Sequence, residues 1–352
     1  MDERTGAASY WAVATRGLEE VASNEIQAGV PDARALDTTY RRVAFSSTAH
    51  PPALLALRTV EDLFVDIETW AGIGRPRAAL AQLQEYAMAL DLRDAAALCR
   101  EARELGAPPT FSVTVNFVGR RNYSTDEIKS ALAGSVEATH RWIYRERDID
   151  ADLNLRVFLE HEQAYVGVRL AARPLNERPY KIANVPGSLK PNVAAAMVRL
   201  GQFEPGAAIA DPLCGAGTIV IEAALAGLQA IGGDSDMAAL EAAKRNLEAA
   251  GLDVTPERWD ARVLPLVDGS LDGVICNLPW GRQVEMGSEV EAFYAQYLRE
   301  LRRVCREDAT MVLLTSLQPL LRSTARAAGF EVASETEISL SGQTPTISVL
   351  NG

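Results

Sequence analysis

Two short stretches hold residue types that could do chemistry together. The first, DPLCGAGT, runs from Asp211 to Thr218 between an apolar strand-like run and a helix-like run. Its two glycines, Gly215 and Gly217, let the backbone approach a ligand at the carboxyl edge of a sheet. No lysine follows them, so the loop is not a phosphate-cradling P-loop, and Thr218, Ile219 and Val220 depart from the GxGxxG dinucleotide fingerprint. The second stretch, NLPWG, Asn277 to Gly281, follows the apolar run LDGVIC. A turn would account for the proline and the glycine, but not for an amide and an indole together at a strand's mouth.

Acidic residues recur where the neighbouring strands should end. Asp211 precedes the glycine loop and can face an ammonium. Asp234, in GGDSD, closes the next strand and is placed to take both hydroxyls of a ribose. Asp260, followed by Ala261, comes after VTPERW, where an acid could hold an adenine amino group. Three carboxylates around a GxG suit a cationic nucleoside without phosphate, and S-adenosylmethionine has that character. A dinucleotide would want bare backbone amides for its pyrophosphate. The cysteines are Cys99, Cys214, Cys276 and Cys305, none in CxxC spacing, and the histidines are His50, His140 and His161. No metal site is expected from them. Cys276 and Cys214 read as packing side chains, Cys276 because alternation turns it away from Asn277.

These elements together resemble the class I amino-methyltransferases with an (N/D)PPY-type motif. The whole chain resembles the THUMP-domain methyltransferases that make N2-methylguanosine in tRNA. FSVTVNFVGRRNYSTDEIKSALAG is similar to the THUMP core, and GSLKPNVAAAMVRLG to the helix that leads into the catalytic domain. The likeness is strong over 110–285 and weaker over the first 70 residues, where a ferredoxin-like pattern matches. It implies cofactor contacts from Asp211, Cys214, Gly215, Gly217, Thr218, Glu222, Asp234, Asp260, Ala261 and Asn277, and a catalytic group formed by Asn277, Leu278, Pro279 and Trp280. Leu278 stands where the motif has its first proline, and Trp280 where it has tyrosine.

The motif's logic is direct. The lone pair of an exocyclic amine is delocalised into its base, so the amine is a poor nucleophile. The Asn277 side-chain oxygen and the Leu278 carbonyl can each accept one N–H, orienting the lone pair and stabilising the charge that grows on nitrogen. Pro279 stiffens the turn. Trp280 offers a flipped-out base a stacking surface worth about 1–3 kcal/mol.

Net charge is −12, which argues against a broad nonspecific grip on nucleic acid. Basic residues nevertheless cluster. Arg141 and Arg145 flank Trp142 and Tyr144, while Arg173, Arg178, Lys181 and Lys190 fall in a stretch whose only acid is Glu177. These six are read as contacts to substrate RNA. The expected partner is tRNA, with no membrane and no metal, and the protein is expected to be a cytoplasmic monomer. Two other readings stay open: methylation of another nucleic-acid amine, on rRNA guanine or DNA adenine, and a non-catalytic RNA-binding protein that kept the fold.

The elements that would position these residues are α/β throughout. SYWAVATRG, RALDTTYRRVAFSS and DLFVDIETW predict strands around two helices, a ferredoxin-like domain over 1–70. A helical stretch after residue 75, the strand FSVTVNFVG, a helix opened by Ser124 or Thr125, and a hairpin around HEQ predict a THUMP domain over 71–170. A proline-punctuated linker covers 171–184. Alternating strands and helices over 185–352 predict a doubly wound, Rossmann-like methyltransferase sheet.

Overall fold

The computed structural model describes residues 6–279 and 288–352. The chain divides into two compact units, the first comprising 1–14 and 23–175, the second 15–22 and 176–352.

In the first unit, β1 (Ala8–Ala14) leads through α1 (Glu19–Gly29), which straddles the division, to β2 (Arg34–Thr39) and β3 (Arg42–Ser47). A short α2 (Pro51–Leu54), β4 (Val60–Trp70), α3 (Ala79–Ala89) and α4 (Arg93–Ala102) follow. Then come β5 (Thr110–Phe117), α5 (Thr125–His140), β6 (Ile143–Tyr144) and the hairpin of β7 (Leu153–Glu160) and β8 (Gln163–Arg169). The strands form one eight-stranded sheet, ordered β2-β3-β1-β4-β8-β7-β5-β6. One face is apolar, with Tyr10, Ala12, Leu63, Val157, Val166 and Val168 buried. Helix α5 starts on a capping box, Ser124 Oγ accepting from the Glu127 amide while the Glu127 carboxylate accepts from the Ser124 amide.

In the second unit, α6 (Pro191–Leu200) precedes β9 (Ala208–Asp211), α7 (Thr218–Leu225), β10 (Gln229–Asp234), α8 (Met237–Ala249) and β11 (Glu257–Arg258). Next are β12 (Leu271–Asn277), α9 (Ser288–Val304), β13 (Cys305–Thr315), α10 (Gln318–Ala327), β14 (Glu331–Glu337) and β15 (Thr346–Asn351). The sheet order is β11-β10-β9-β12-β13-β15-β14. Strands β9 to β13 pair in parallel. Residues of α6, α7 and α8 cover one face and residues of α9 and α10 the other. Val274, Ile275 and Cys276 of β12 are fully buried, as befits a central parallel strand covered on both faces. Succession runs outward from β9 to β11 and then resumes on the other side at β12. The carboxyl ends of β9 and β12 therefore flank the crevice where open α/β sheets bind ligands.

Three features differ from the sequence expectations. RALDTTYRRVAFSS is two strands, because Arg41 adopts φ 57° and folds the run into a hairpin. The helical stretch after residue 75 splits into α3 and α4, the backbone extending at Leu90. Strand β15 runs antiparallel to β13, because only a short loop separates it from β14 and no helix returns the chain to the same edge.

The second unit also includes Thr15–Ala22, far upstream in the sequence. Leu18 is fully buried in its core, the Ser339 amide donates to Arg16 O at 3.0 Å, and Asn192 Nδ2 donates to Thr15 Oγ1 at 2.9 Å. Gly17 has φ +93°, and a Cβ there would stand 2.0 Å from Glu337 O. Both the conformation and the contact forbid a side chain. Gly17→Ala is expected to cost at least about 2 kcal/mol of stability, read as a lower urea midpoint with an unchanged slope.

Candidate active site

Where β9 ends, the chain turns sharply. Gly215 (φ +52°) and Gly217 (φ +76°) shape the loop before α7, and the Cys214 amide donates to Gly233 O at 2.9 Å. Asp234, at the end of β10, accepts from the Gly215 amide at 2.9 Å and the Asp236 amide at 3.0 Å. One carboxylate thus sets the loop and the start of α8, which Asp236 caps through the Ala238 amide. A cavity of about 700 Å³ opens over this loop, within the range of small-molecule sites. Asp211, Asp234 and Asp236 line it from the strand ends, Val185–Lys190 from the connector, and Asn277–Pro279 from the end of β12.

Asp211 is buried, 3% exposed, and accepts from the Leu213 amide at 3.2 Å. Its pKa is pushed up to about 7, chiefly by loss of hydration and with a smaller push from the nearby Asp234 carboxylate, against the lowering effect of the Leu213 and Cys276 hydrogen bonds. Among the described residues, no cation is one of the groups acting on it. A buried carboxyl in that condition suits a ligand bearing an ammonium group.

The connector is fastened to the loop by one buried side chain, Asn246 of α8. Its Oδ1 accepts from the Ile182 and Ala183 amides at 3.0 and 2.8 Å, and its Nδ2 donates to Ala183 O and Ala216 O, both at 2.9 Å. That exhausts the hydrogen-bonding capacity of the amide. Lys181 Nζ donates to Leu189 O at 2.8 Å and Thr218 Oγ1 at 2.6 Å, and burial pulls its pKa down to about 8. Below the loop, Tyr180 donates to Glu222 Oε1 at 2.6 Å, and Arg178 Nε lies 3.6 Å from the same oxygen.

At the end of β12, Asn277 Nδ2 donates to Gly187 O at 3.3 Å and the Leu278 amide donates to Leu314 O at 3.0 Å. The Tyr294 hydroxyl donates to Pro279 O at 3.2 Å and shares a 2.8 Å hydrogen bond with Thr315 Oγ1. The turn is therefore held at each of its first three residues. Trp280 and Gly281 lie outside the described residues.

Asp211, Cys214, Gly215, Thr218, Asp234, Asn277, Leu278 and Pro279 come together around one cavity, and Lys190, named as an RNA contact, borders it as well. Others named from the sequence do not line it. Asp260 is held by Arg262 through two hydrogen bonds, at 2.9 and 2.7 Å, and borders a separate surface hollow. Ala261 is buried in the core. Glu222 is buried beneath the loop, and Gly217 packs 3.2 Å from Ala243 Cβ, measured from a Cβ it lacks. Of the basic residues, Arg141, Arg145, Arg173 and Lys190 are exposed, whereas Arg178 and Lys181 turn inward to Glu222 and Thr218. All four cysteines are buried free thiols. Among the described residues no three of His, Cys, Asp and Glu are grouped to hold a metal, and no helix is long and apolar enough to cross a membrane. Sequence reasoning missed Asp236, residues 185–189 of the wall and Asn246. A signal for Asn246 was present, since it sits at helical spacing from Ala243 on the buried stripe of α8, where a polar residue needs partners.

The strand order and the loop define an α/β methyltransferase with a Rossmann-like sheet. The family described as RMKL-like, methyltransferase domain, matches residues 178–346. A tRNA (guanine(6)-N2)-methyltransferase of Thermus thermophilus is 31% identical over 260 residues, 72% of this chain and 76% of that protein. A U6 snRNA (guanine-N(2))-methyltransferase of Mus musculus is 35% identical over 169 residues, which are 46% of this chain and 31% of that longer protein. The crystal structure of TrmN from Thermus thermophilus superposes with a TM-score of 0.81 at 26% identity, covering 97% of this chain and 99% of that one. The chain belongs to the RMKL-like methyltransferase family, alongside these guanine-N2 methyltransferases.

Two outcomes follow from the geometry. Asn246→Ala strips partners from buried backbone amides and carbonyls, and is expected to lower stability by about 3 kcal/mol or more in urea unfolding. The Asp211 carboxyl binds its proton more tightly folded than unfolded, so its contribution to stability is full below about pH 4 and is lost as pH rises to about 7. Asp211→Asn lacks that loss. The variant should gain on wild type by up to about 4 kcal/mol across this interval, and the difference should be flat above it, measured by denaturant unfolding at a series of pH values.

Proposed function

We propose that this protein methylates the exocyclic N2 amine of a guanosine in tRNA, using S-adenosylmethionine. The observation that carries the reading is the facing of Asp211 and Asn277 across the crevice between β9 and β12, in one cavity with Asp234. The cavity fits the cofactor: Asp211 suits an ammonium, Asp234 at the end of β10 suits a ribose diol, and Asp236 adds a third carboxylate on the same rim. S-adenosylmethionine would supply a methyl group activated by its sulfonium. The protein's share is alignment. Asn277 donates through its NH2 end to Gly187 O, and its side-chain oxygen would accept an incoming N–H. An oxygen can only accept, which favours an amine as the group it receives. The Leu278 carbonyl would take the second N–H. With both protons held, the lone pair of the amine points along the line of transfer. The proton displaced from nitrogen passes to solvent, and no basic side chain is required.

Guanosine N2 is favoured because the relatives named above act on that atom, and tRNA because the Thermus relative, matched over most of both chains, acts on tRNA. We extend the reading to the first unit: a ferredoxin-like domain over 1–70 and a THUMP domain over 71–170, joined through 171–184, would hold the RNA while an acceptor-stem guanosine reaches the cavity. Arg141, Arg145, Arg173 and Lys190 are the exposed basic residues available for that task. Trp280 is retained as the stacking surface for the base. The protein is taken to work as a cytoplasmic monomer.

Asn277→Ala should leave S-adenosylmethionine affinity within a few-fold of wild type and lower methyl transfer to unmodified tRNA by about 100- to 1,000-fold. Affinity is read by calorimetry and product by mass spectrometry of digested tRNA. A variant as active as wild type would remove the acceptor role.

A further inference from the structure

The second face of the eight-stranded sheet has a different composition from the first. Register puts Trp11 opposite Phe64, Val13 opposite Arg42, and Gly167 opposite both Asp66 and Arg156. The Trp11 and Phe64 rings stack with centroids 4.3 Å apart. A Cβ on Gly167 would stand 2.7 Å from Trp11 Nε1, so only glycine leaves room for the indole to lie against β8. The Arg42 guanidinium sits 3.9 Å from the centre of the Tyr165 ring.

A small cavity opens among these side chains, bordered by Trp11, Arg41, Arg42, Asn116, Arg156 and Phe158. Its lining contains three guanidinium groups and no carboxylate. Three of the side chains that border it each carry a buried donor that meets no acceptor: Trp11 Nε1, Arg42 Nε and Arg156 Nε. Trp11 is 2% exposed. The other arginines of this region are answered. Arg169 is held between Asp62 at 2.7 Å and Asp148 at 2.6 Å, and Arg41 pairs with Glu61 at 2.7 Å. Arg42 reaches Asp37 through its terminal nitrogen at 3.2 Å, leaving the Nε as described. The Arg156 side chain makes neither an ion pair nor a hydrogen bond among the described residues, and burial lowers its pKa against the smaller opposing effect of the Asp62 carboxylate. A buried donor left without an acceptor is unfavourable for folding alone, and three such donors on side chains that border one cavity suit an anion.

We propose that this cavity binds a phosphate of an RNA chain, with Arg156 and Arg42 as the charged donors and the Trp11 N–H as a third. The chemistry is that of a phosphate oxyanion: planar guanidinium forks match it, and the adjacent aromatic surface of Phe158 and Tyr40 suits the neighbouring ribose or base. The identity of the ligand as RNA rests on the function proposed above; the anion site itself does not.

The test titrates the full-length protein with a fluorescently labelled ten-nucleotide single-stranded oligoribonucleotide, and separately with inorganic phosphate, at several salt concentrations. Arg156→Gln is expected to weaken oligonucleotide binding about tenfold and to reduce the slope of log affinity against log salt by about 0.7, one phosphate's worth. Trp11→Phe should weaken it several-fold. S-adenosylmethionine affinity should not change in either. Arg156→Leu should retain or raise the thermal midpoint, whereas a residue with a merely structural role would lower it. Millimolar phosphate should compete only weakly. Unchanged oligonucleotide affinity and salt slope in Arg156→Gln would overturn the proposal, as would phosphate binding tightly through Arg156 while the oligonucleotide ignores it. Arg156-dependent binding in a protein that methylates no RNA would leave this site standing and remove the catalytic reading instead.

Discussion

A carboxyl group cannot easily carry charge in a dry crevice unless a cation stands beside it, and the second unit is arranged around that constraint. Asp211 ends β9 at the point where the succession of strands changes direction, with its hydration removed and no cation acting on it among the described residues. The glycine loop bends over it, and Asp234 of the adjacent strand holds that loop through a backbone amide. Asn246 then ties the connector to the loop from behind, which brings the 185–190 wall to the cavity. Each of these interactions is ordinary in strength. Together they build a pocket with three carboxylates on its rim, Asp211, Asp234 and Asp236.

Much of this arrangement was legible in the sequence because it depends on local rules. A glycine pair between a strand and a helix, an acid at the next strand end and an amide at a third can be read from spacing. The Ser124 capping box was legible for the same reason. What could not be read depends on partners distant in the chain. Arg178 and Lys181 lie in a basic stretch that resembles a solvated face, yet Glu222 and Thr218 draw them inward. Asp260 occupies the expected place at a strand end, but an arginine two residues on takes both its oxygens. The hairpin within 34–47 turned on a single positive φ at a non-glycine residue, which composition does not announce.

The first unit shows how one sheet can serve two purposes. Alternation gives each strand an apolar row and a second row. Tyr10, Leu63, Val157 and Val168 fill the core, while Trp11, Asp62, Arg156 and Arg169 occupy the other face. On that face Arg169 forms direct ion pairs with its two carboxylates, while Arg156 forms none among the described residues. A chain with a net charge of −12 can therefore still offer positive charge locally, through which arginines remain unanswered rather than through their total number.

The excursion of Thr15–Ala22 into the second unit has a consequence for how the molecule is made. The matched family segment begins at 178, yet Leu18 belongs to its hydrophobic core and Gly17 rests against Glu337. A piece cut at residue 176 would be an incomplete object, with an unfilled slot where Leu18 inserts. On the ribosome, residues 15–22 must wait for the segment around Glu337 and Ser339 before the contacts that hold them can form.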